Sequence, residues 1–181
     1  SVNGLYVYDV SNPLQPRAIS VDDGTLRVAD FVVAGDTLYL CHTGGLSLRG
    51  ATDLWNLVGN YVMDNGYCTA VAVAGTTAYM LGAPDDLTPV DVSNPAAPVP
   101  AAGVDLELDR LLQMALVHEG NRLYAVERAV GFNTIGIGGP LTPVELGQSA
   151  VATIGALAVD GSTAYAGTAA GLQMLNVSGT G

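Results

Sequence analysis

The sequence predicts an all-β chain built as a β-propeller of four-stranded blades, and three observations carry that prediction. A five-residue pattern ending in tyrosine recurs four times: Gly35-Asp36-Thr37-Leu38-Tyr39, Gly75-Thr76-Thr77-Ala78-Tyr79, Gly120-Asn121-Arg122-Leu123-Tyr124 and Gly161-Ser162-Thr163-Ala164-Tyr165. Its glycines stand 40, 45 and 41 residues apart. In the same register, proline pairs three positions apart fall at Pro13 and Pro16, Pro95 and Pro98, and Pro140 and Pro143. No helix-period segment of useful length interrupts this, since the best candidate, Leu106 to Leu116, lies where a loop and an inner strand belong. A repeat of 40–45 residues made of short strands is the period of a propeller blade.

Each unit justifies its strands in turn. The first strand is a short apolar run, as in Phe31-Val32-Val33-Ala34, Val71-Ala72-Val73-Ala74, Leu116-Val117-His118 and Leu157-Ala158-Val159. Such runs are apolar on both faces, the pattern of a strand packed on each side. The repeated glycine and its polar neighbour make a tight hairpin into a second strand that ends in Leu-Tyr or Ala-Tyr. A loop rich in Gly and Asp follows. The third strand is Leu5 to Val10, echoed at Leu87 to Val92, Thr134 to Ile137 and Leu172 to Val177. Ser11-Asn12-Pro13 and Ser93-Asn94-Pro95 close it, because Asn caps its own turn and Pro cannot donate to a ladder. Thr52-Asp53-Leu54 stands in that place in the second unit, and a fourth strand begins after the second proline, as in Arg17-Ala18-Ile19-Ser20.

These boundaries divide residues 1–181 into blade units at about 1–25, 26–67, 68–110, 111–153 and 154–181. The chain holds five third strands but four first-and-second-strand hairpins, or about four and a half units. Either residues 1–20 lend outer strands to the last hairpin and close a ring of four, leaving 171–181 redundant, or the 181 residues belong to a longer propeller whose raw edges a neighbour covers. The second reading is preferred.

The pattern Gly-Leu-x-Val-x-Asp-Val-Ser-Asn-Pro at Gly4 to Pro13, weaker at Asp86 to Pro95, resembles the LVIVD-repeat family. The resemblance extends over nearly the whole chain and is eroded where Gly50 and Gly136 replace the aspartate. It implies a propeller, commonly on extracytoplasmic bacterial or archaeal proteins, with no catalytic motif to carry over. WD and kelch repeats fit less well: there is no Trp-Asp dipeptide, and the single tryptophan, Trp55, follows a strand-closing turn.

Composition excludes several functions. The chain has 181 residues, 49% of them apolar and 13% charged, which rules out intrinsic disorder. Six arginines and no lysine face 17 acids, giving a net charge of −11, the reverse of the clustered cations that nucleic acid requires. No apolar run is long enough for a transmembrane helix.

Nine acids sort to one face of a propeller, where the inter-blade and second-to-third-strand loops open: Asp22, Asp23, Asp64, Asp105, Glu107, Asp109, Asp85, Asp86 and Glu127. They would attract a basic partner or a hard cation such as calcium, although no EF-hand or nonapeptide calcium spacing is present. The simpler reading is a solvated rim that keeps an apolar protein soluble. Cys41 ends one unit's second strand and Cys68 begins the next unit's first strand, so both approach this face on adjacent blades and can form a disulfide, the alternative being two buried thiols. A disulfide accords with an oxidising compartment.

His42 is expected at the surface of that face, and His118, which replaces Val33, Val73 and Val159, is expected to face the core. Neither stands beside a nucleophile motif, and Gly136-Ile137-Gly138-Gly139 has no helix N-terminus behind it to hold phosphate. Tyr39, Tyr79, Tyr124 and Tyr165 keep one position in the second strand, which points to packing between blades. The function expected is a non-enzymatic interaction or scaffold propeller of a secreted, periplasmic or cell-surface protein, whose acidic loop face docks another protein. Its partners would be proteins, a larger assembly or the rest of a longer ring. The alternative is a propeller that binds a small ligand or calcium, or a metal-dependent hydrolase with carboxylates near the channel. Val28, Thr69, Gln113 and Thr153 begin the inner strands, where such a hydrolase needs acids, Asn or His, so the first expectation is favoured.

Overall fold

The computed structural model describes residues 5–21, 27–64, 66–106, 114–127, 131–150 and 153–178. Every regular element in it is a strand. A half-blade comes first, β1 (Tyr6–Asp9) and β2 (Arg17–Val21), paired with each other. Three complete antiparallel blades follow. The first is β3 (Val28–Ala34), β4 (Thr37–His42), β5 (Gly45–Gly50) and β6 (Asp53–Val62). The second is β7 (Tyr67–Ala74), β8 (Thr77–Ala83), β9 (Leu87–Asp91) and β10 (Val99–Pro100). The third is β11 (Met114–Glu119), β12 (Arg122–Glu127), β13 (Gly131–Gly136) and β14 (Val144–Ser149). A three-stranded sheet closes the series: β15 (Thr153–Asp160), β16 (Thr163–Thr168) and β17 (Gly171–Asn176).

The turn chemistry explains the repetition. Gly35, Gly75, Gly120 and Gly161 open the hairpins with φ of 59°, 57°, 61° and 56°, the left-handed region where a Cβ is costly, so this position is glycine in every unit. Three of the third strands, β1, β9 and β17, then end in an Asx turn. Asp9 Oδ1 accepts from Ser11 N, Asp91 Oδ1 from Ser93 N and Asn176 Oδ1 from Ser178 N, all at 2.9 Å. A second turn overlaps it, with Asn12 accepting from Leu14 N and Asn94 from Ala96 N. In the eroded second unit Asp53 does the same for Trp55 N at 3.0 Å. The turn survives there because an aspartate oxygen accepts as an asparagine oxygen does.

The core is a series of seams between consecutive blades. Leu38, Leu40 and Leu54 are covered by Leu5 and Val7 of the half-blade. Tyr39, Cys41, Leu46 and Leu48 meet Cys68, Val71, Ala78 and Met80. Ala72, Tyr79, Leu81 and Leu87 meet Leu116, Leu123, Ala125 and Ile135. Tyr124, Val126 and Phe132 meet Ala164 and Val177. The inner strands β3, β7, β11 and β15 neighbour one another in that order, and among the described residues no comparable packing joins β15 back to β3. The half-blade lies on the β3–β6 blade and does not complete the β15–β17 sheet. The blades therefore form an open arc rather than a ring of four closed by residues 1–20.

Two local expectations are corrected by this arrangement. The first strands are packed on both sides only where a neighbouring blade stands on each side. Val71 is buried, but its counterpart Phe31 on β3 is 53% exposed, as is Val33 at 55%, because no inner strand precedes β3 in the arc. His118 is likewise only half-buried and bonds the carbonyl of Gly120 at 2.8 Å rather than entering the core.

Candidate functional site

The strongest polar grouping lies on the loop face shared by the β3–β6 and β7–β10 blades. Cys41 and Cys68 are joined there, with an S–S distance of 2.12 Å and Cα atoms 5.3 Å apart. The bond links β4 to β7, hence one blade to the next, and both cysteines are buried against Leu46, Leu48 and Met80. Beside it Met63 N donates to Gly44 O at 3.0 Å and ties the end of β6 to the β4–β5 turn.

Of the nine acids expected on this face, Asp64, Asp85 and Asp105 are exposed. Burial first, then the carboxylates of Asp85 and Asp64, hold the Tyr61 phenol above its ordinary pKa, so these two acids converge electrostatically on Tyr61 from consecutive blades. Asp86 does not reach the surface: it is fully buried, and its Oδ2 accepts from Leu106 N at 2.8 Å. That bond, with the Leu87–Val104 bridge, fastens the segment carrying Asp105 along β9. Glu127 lies at the end of β12, while Asp22, Asp23, Glu107 and Asp109 lie outside the described residues. Among the described residues no three carboxylate, histidine or cysteine side chains converge as a metal site would require. Tyr67 is the first residue of β7, and Gln113 lies outside the described residues.

His42 departs from expectation. The turn from His42 to Gly45 folds back over the imidazole, leaving it only 9% exposed. Gly44 N donates to Nδ1 at 3.0 Å, so the ring proton sits on Nε2, which is 2.8 Å from Ser47 Oγ. A serine nucleophile needs a histidine nitrogen that accepts its proton; here that nitrogen already carries one and donates. Burial first, and then the Arg49 cation, hold the His42 pKa below 6.5, as a structural neutral imidazole requires. The cleft between β13–β14 and β17, of about 310 Å³, is lined by Phe132, Thr134, Leu146, Gln148, Leu175 and Val177 among others, none of them ionisable.

Three of the repeated tyrosines, Tyr39, Tyr79 and Tyr124, sit at the seams. Tyr79 is fully buried, and its hydroxyl donates to Pro140 O in the next blade at 2.9 Å. Asp30, which the sequence did not single out, is a second clip between blades. Its Oδ2 accepts from Val71 N and its Oδ1 from Phe31 N, both at 2.9 Å. The signal was an acid inside an otherwise apolar inner strand, a residue type that is buried only when its oxygens are satisfied.

Burial outweighs those bonds and raises the Asp30 pKa above 3.8. The native state therefore holds the proton more tightly than the unfolded chain, and the stability linked to Asp30 rises as pH falls from above its raised pKa toward 3.8. His42 has the opposite sign, its contribution being lost as pH falls below 6.5. Comparing the wild type with Asp30→Asn cancels His42, so the difference in melting temperature in favour of the wild type is expected to widen as pH falls from neutrality toward 3.8. A pH-independent difference would remove Asp30 from this role.

Comparison with known proteins agrees with the blade architecture. The LVIVD repeat model matches residues 1–21 and 65–105, which contain the half-blade and the β7–β10 blade. Among curated proteins no sequence matches the chain. Among solved structures, BamB from Moraxella catarrhalis is similar at 15% identity and a TM-score of 0.65, over 97% of this chain and 52% of that one. The computationally designed Ika8 protein is similar at 14% identity and a TM-score of 0.60, over 98% and 56%. The designed Ika4 protein is similar at 10% identity and a TM-score of 0.64, over 84% and 92%. The chain thus spans about half the length of BamB and Ika8, and at these identities the likeness concerns the fold alone. The chain carries LVIVD repeats at residues 1–21 and 65–105 within a fold of propeller blades.

Proposed function

We propose that the chain is a non-enzymatic scaffold of an extracytoplasmic protein and that it docks a basic protein surface on the loop face around Tyr61. The observation that carries this reading is the placement of two exposed acids on consecutive blades, Asp64 just after β6 and Asp85 between β8 and β9, beside the disulfide that joins those blades. A negative patch on stapled blades is already in its binding geometry, so little ordering entropy is lost when a partner docks. Exposed carboxylates steer a cationic partner and set the salt dependence of association, while the phenol gives an amphipathic contact of the kind enriched in interfaces. The overall charge of −11 adds long-range attraction for the same class of partner. The compartment follows from the disulfide, which persists where thiols are oxidised.

The test uses a lysine-rich polypeptide as probe, with binding read by titration calorimetry at low and physiological salt. Asp64→Asn/Asp85→Asn is expected to weaken binding about 5- to 30-fold at low salt, each rim charge contributing roughly 0.5–1 kcal/mol. Asp160→Asn, in the hairpin turn of the last sheet, is the control and is expected to have a smaller effect. Equal losses for the two variants would mean that only net charge matters and that this face is not a docking surface.

A further inference from the structure

We infer that the third blade binds a small carboxylate at the turn closing β13, where the ligand replaces a side-chain oxygen that the other turns supply themselves. The site lies at the opposite end of the strands from the docking face. In the second blade Thr77 and Asp91 are cross-strand partners on β8 and β9. In the last sheet Thr163 and Asn176 hold the same relation. In the third blade the pair is Arg122 and Gly136. Two departures from the repeat thus fall on one cross-strand pair: the turn loses its oxygen-bearing side chain, and the strand beside it gains a cation. The first blade also has a glycine there, Gly50, but its partner remains Thr37 and Asp53 supplies that turn's carboxylate.

The loss of the side chain leaves one donor uncapped. Asp91 Oδ1 accepts from Ser93 N and Asn176 Oδ1 from Ser178 N, both at 2.9 Å. Gly138 stands in the place of those serines, and Gly136 has no side-chain oxygen to offer it. A cavity of about 500 Å³ opens at this point, lined by Asn121, Arg122, Gly136, Gly138, Gly139 and Thr142 among others. Its whole lining lies between residues 121 and 146, within one blade. At the corresponding place one blade earlier, a cavity of about 380 Å³ is lined by Thr76, Thr77, Asp91 and Ser93 among others, and there the carboxylate belongs to the chain.

Arg122 is held ready for an anion. Its Nη1 donates to Val177 O at 2.8 Å, and a guanidinium carries five N–H donors in a rigid fork. That bond therefore orients the group and leaves donors for a second acceptor. Among the described residues no carboxylate forms an ion pair with it. A bound carboxylate accepts from Gly138 N with one oxygen, as Asp91 does from Ser93 N, and meets the Arg122 charge with the other. That arrangement rebuilds the turn and adds a charge-assisted hydrogen bond. Leu146 sets the size of the ligand, because a Cβ at Gly136 would stand 3.2 Å from Leu146 Cδ1. The carbon attached to the carboxylate thus meets an apolar wall, which suits a short aliphatic acid.

Sodium acetate is the probe, titrated into the 181-residue chain against sodium chloride at equal ionic strength. Acetate is expected to shift the Gly138 amide resonance in two-dimensional NMR spectra with a Kd of about 1–5 mM. At about 100 mM it is expected to raise the melting temperature by about 5 °C. Arg122→Gln is expected to weaken binding about 10-fold, the loss of one charge-assisted bond. Gly136→Asp returns the carboxylate to the chain, and Leu146, 44% exposed, can move aside for it. This variant is expected to fold without acetate and to lose the acetate response, so it decides the matter even where Arg122→Gln fails to fold. A Gly138 resonance that moves no further in acetate than in chloride would overturn the proposal. So would an acetate response that survives Gly136→Asp, or equal affinity in folded Arg122→Gln, since Arg122 would then serve Val177 alone.

Discussion

Tyr79→Ala is expected to destabilise the chain by about 3–5 kcal/mol, and Tyr165→Ala, at the same place in the repeat, by about 1 kcal/mol. Tyr79 is enclosed by Leu81 and Leu87 of its own blade and by Leu116, Leu123 and Ala125 of the next, so truncation removes apolar burial and leaves a void that rigid strands on both sides cannot collapse around. Its hydroxyl also holds the turn of the next blade through Pro140. Tyr79→Phe isolates that bond and is expected to cost about 1 kcal/mol. Tyr165 has no following blade in the arc and is half-buried, so the same deletion opens onto solvent rather than into a cavity. Urea unfolding with an unchanged slope would show that the difference lies in stability. Equal losses at the two positions would mean that the tyrosine serves its own blade rather than the seam.

The architecture was legible because a repeat multiplies weak signals. A lone Gly-x-Thr-x-Tyr says little, but four in one register define hairpins, and the prolines phase the outer strands against them. The tyrosines could be assigned to packing for the same reason, since a ligand does not recur every 40–45 residues. Residues that break the repeat were harder to read. His42 looked like a surface histidine because the sequence does not show that the turn to Gly45 closes over it. Asp86 stood among acids that face solvent, and its inward turn depends on Leu106, 20 residues away, offering a backbone N–H. Phe31 and His118 were read from the pattern of their strands, yet their exposure depends on what stands beside each blade. Periodicity specifies which face of a strand is apolar but not whether a neighbour covers it, and the ends of an arc are where those two differ.

Removing the bond between Cys41 and Cys68 is expected to cost about 3–4 kcal/mol, because the crosslink closes a loop of 27 residues in the unfolded chain. The sensible variant is Cys41→Ala/Cys68→Ala. Serine would bury a hydroxyl among Leu46, Leu48 and Met80 and add a desolvation cost unrelated to the crosslink. The loss falls on one seam, since the bond joins β4 to β7 while the other seams have no covalent link and rely on packing and hydrogen bonds. Hydrogen exchange is therefore expected to quicken first in β4 and β7, ahead of β12 and β16. Reductant is expected to lower the melting temperature of the wild type and leave the double variant unmoved. Because the sulfurs are buried, reduction should be slow in the native protein and fast once it unfolds. Thiol labelling of unreduced, denatured protein is expected to find no free cysteine. Two labelled thiols would cancel the expected stability loss and, with it, the chemical basis for placing the chain in an oxidising compartment. The electrostatic docking face would be unaffected by that result, since Asp64 and Asp85 act on Tyr61 through charge and position. On the function proposed above, the disulfide bears on where the scaffold works and how rigidly it holds that face, and the acids bear on what it docks.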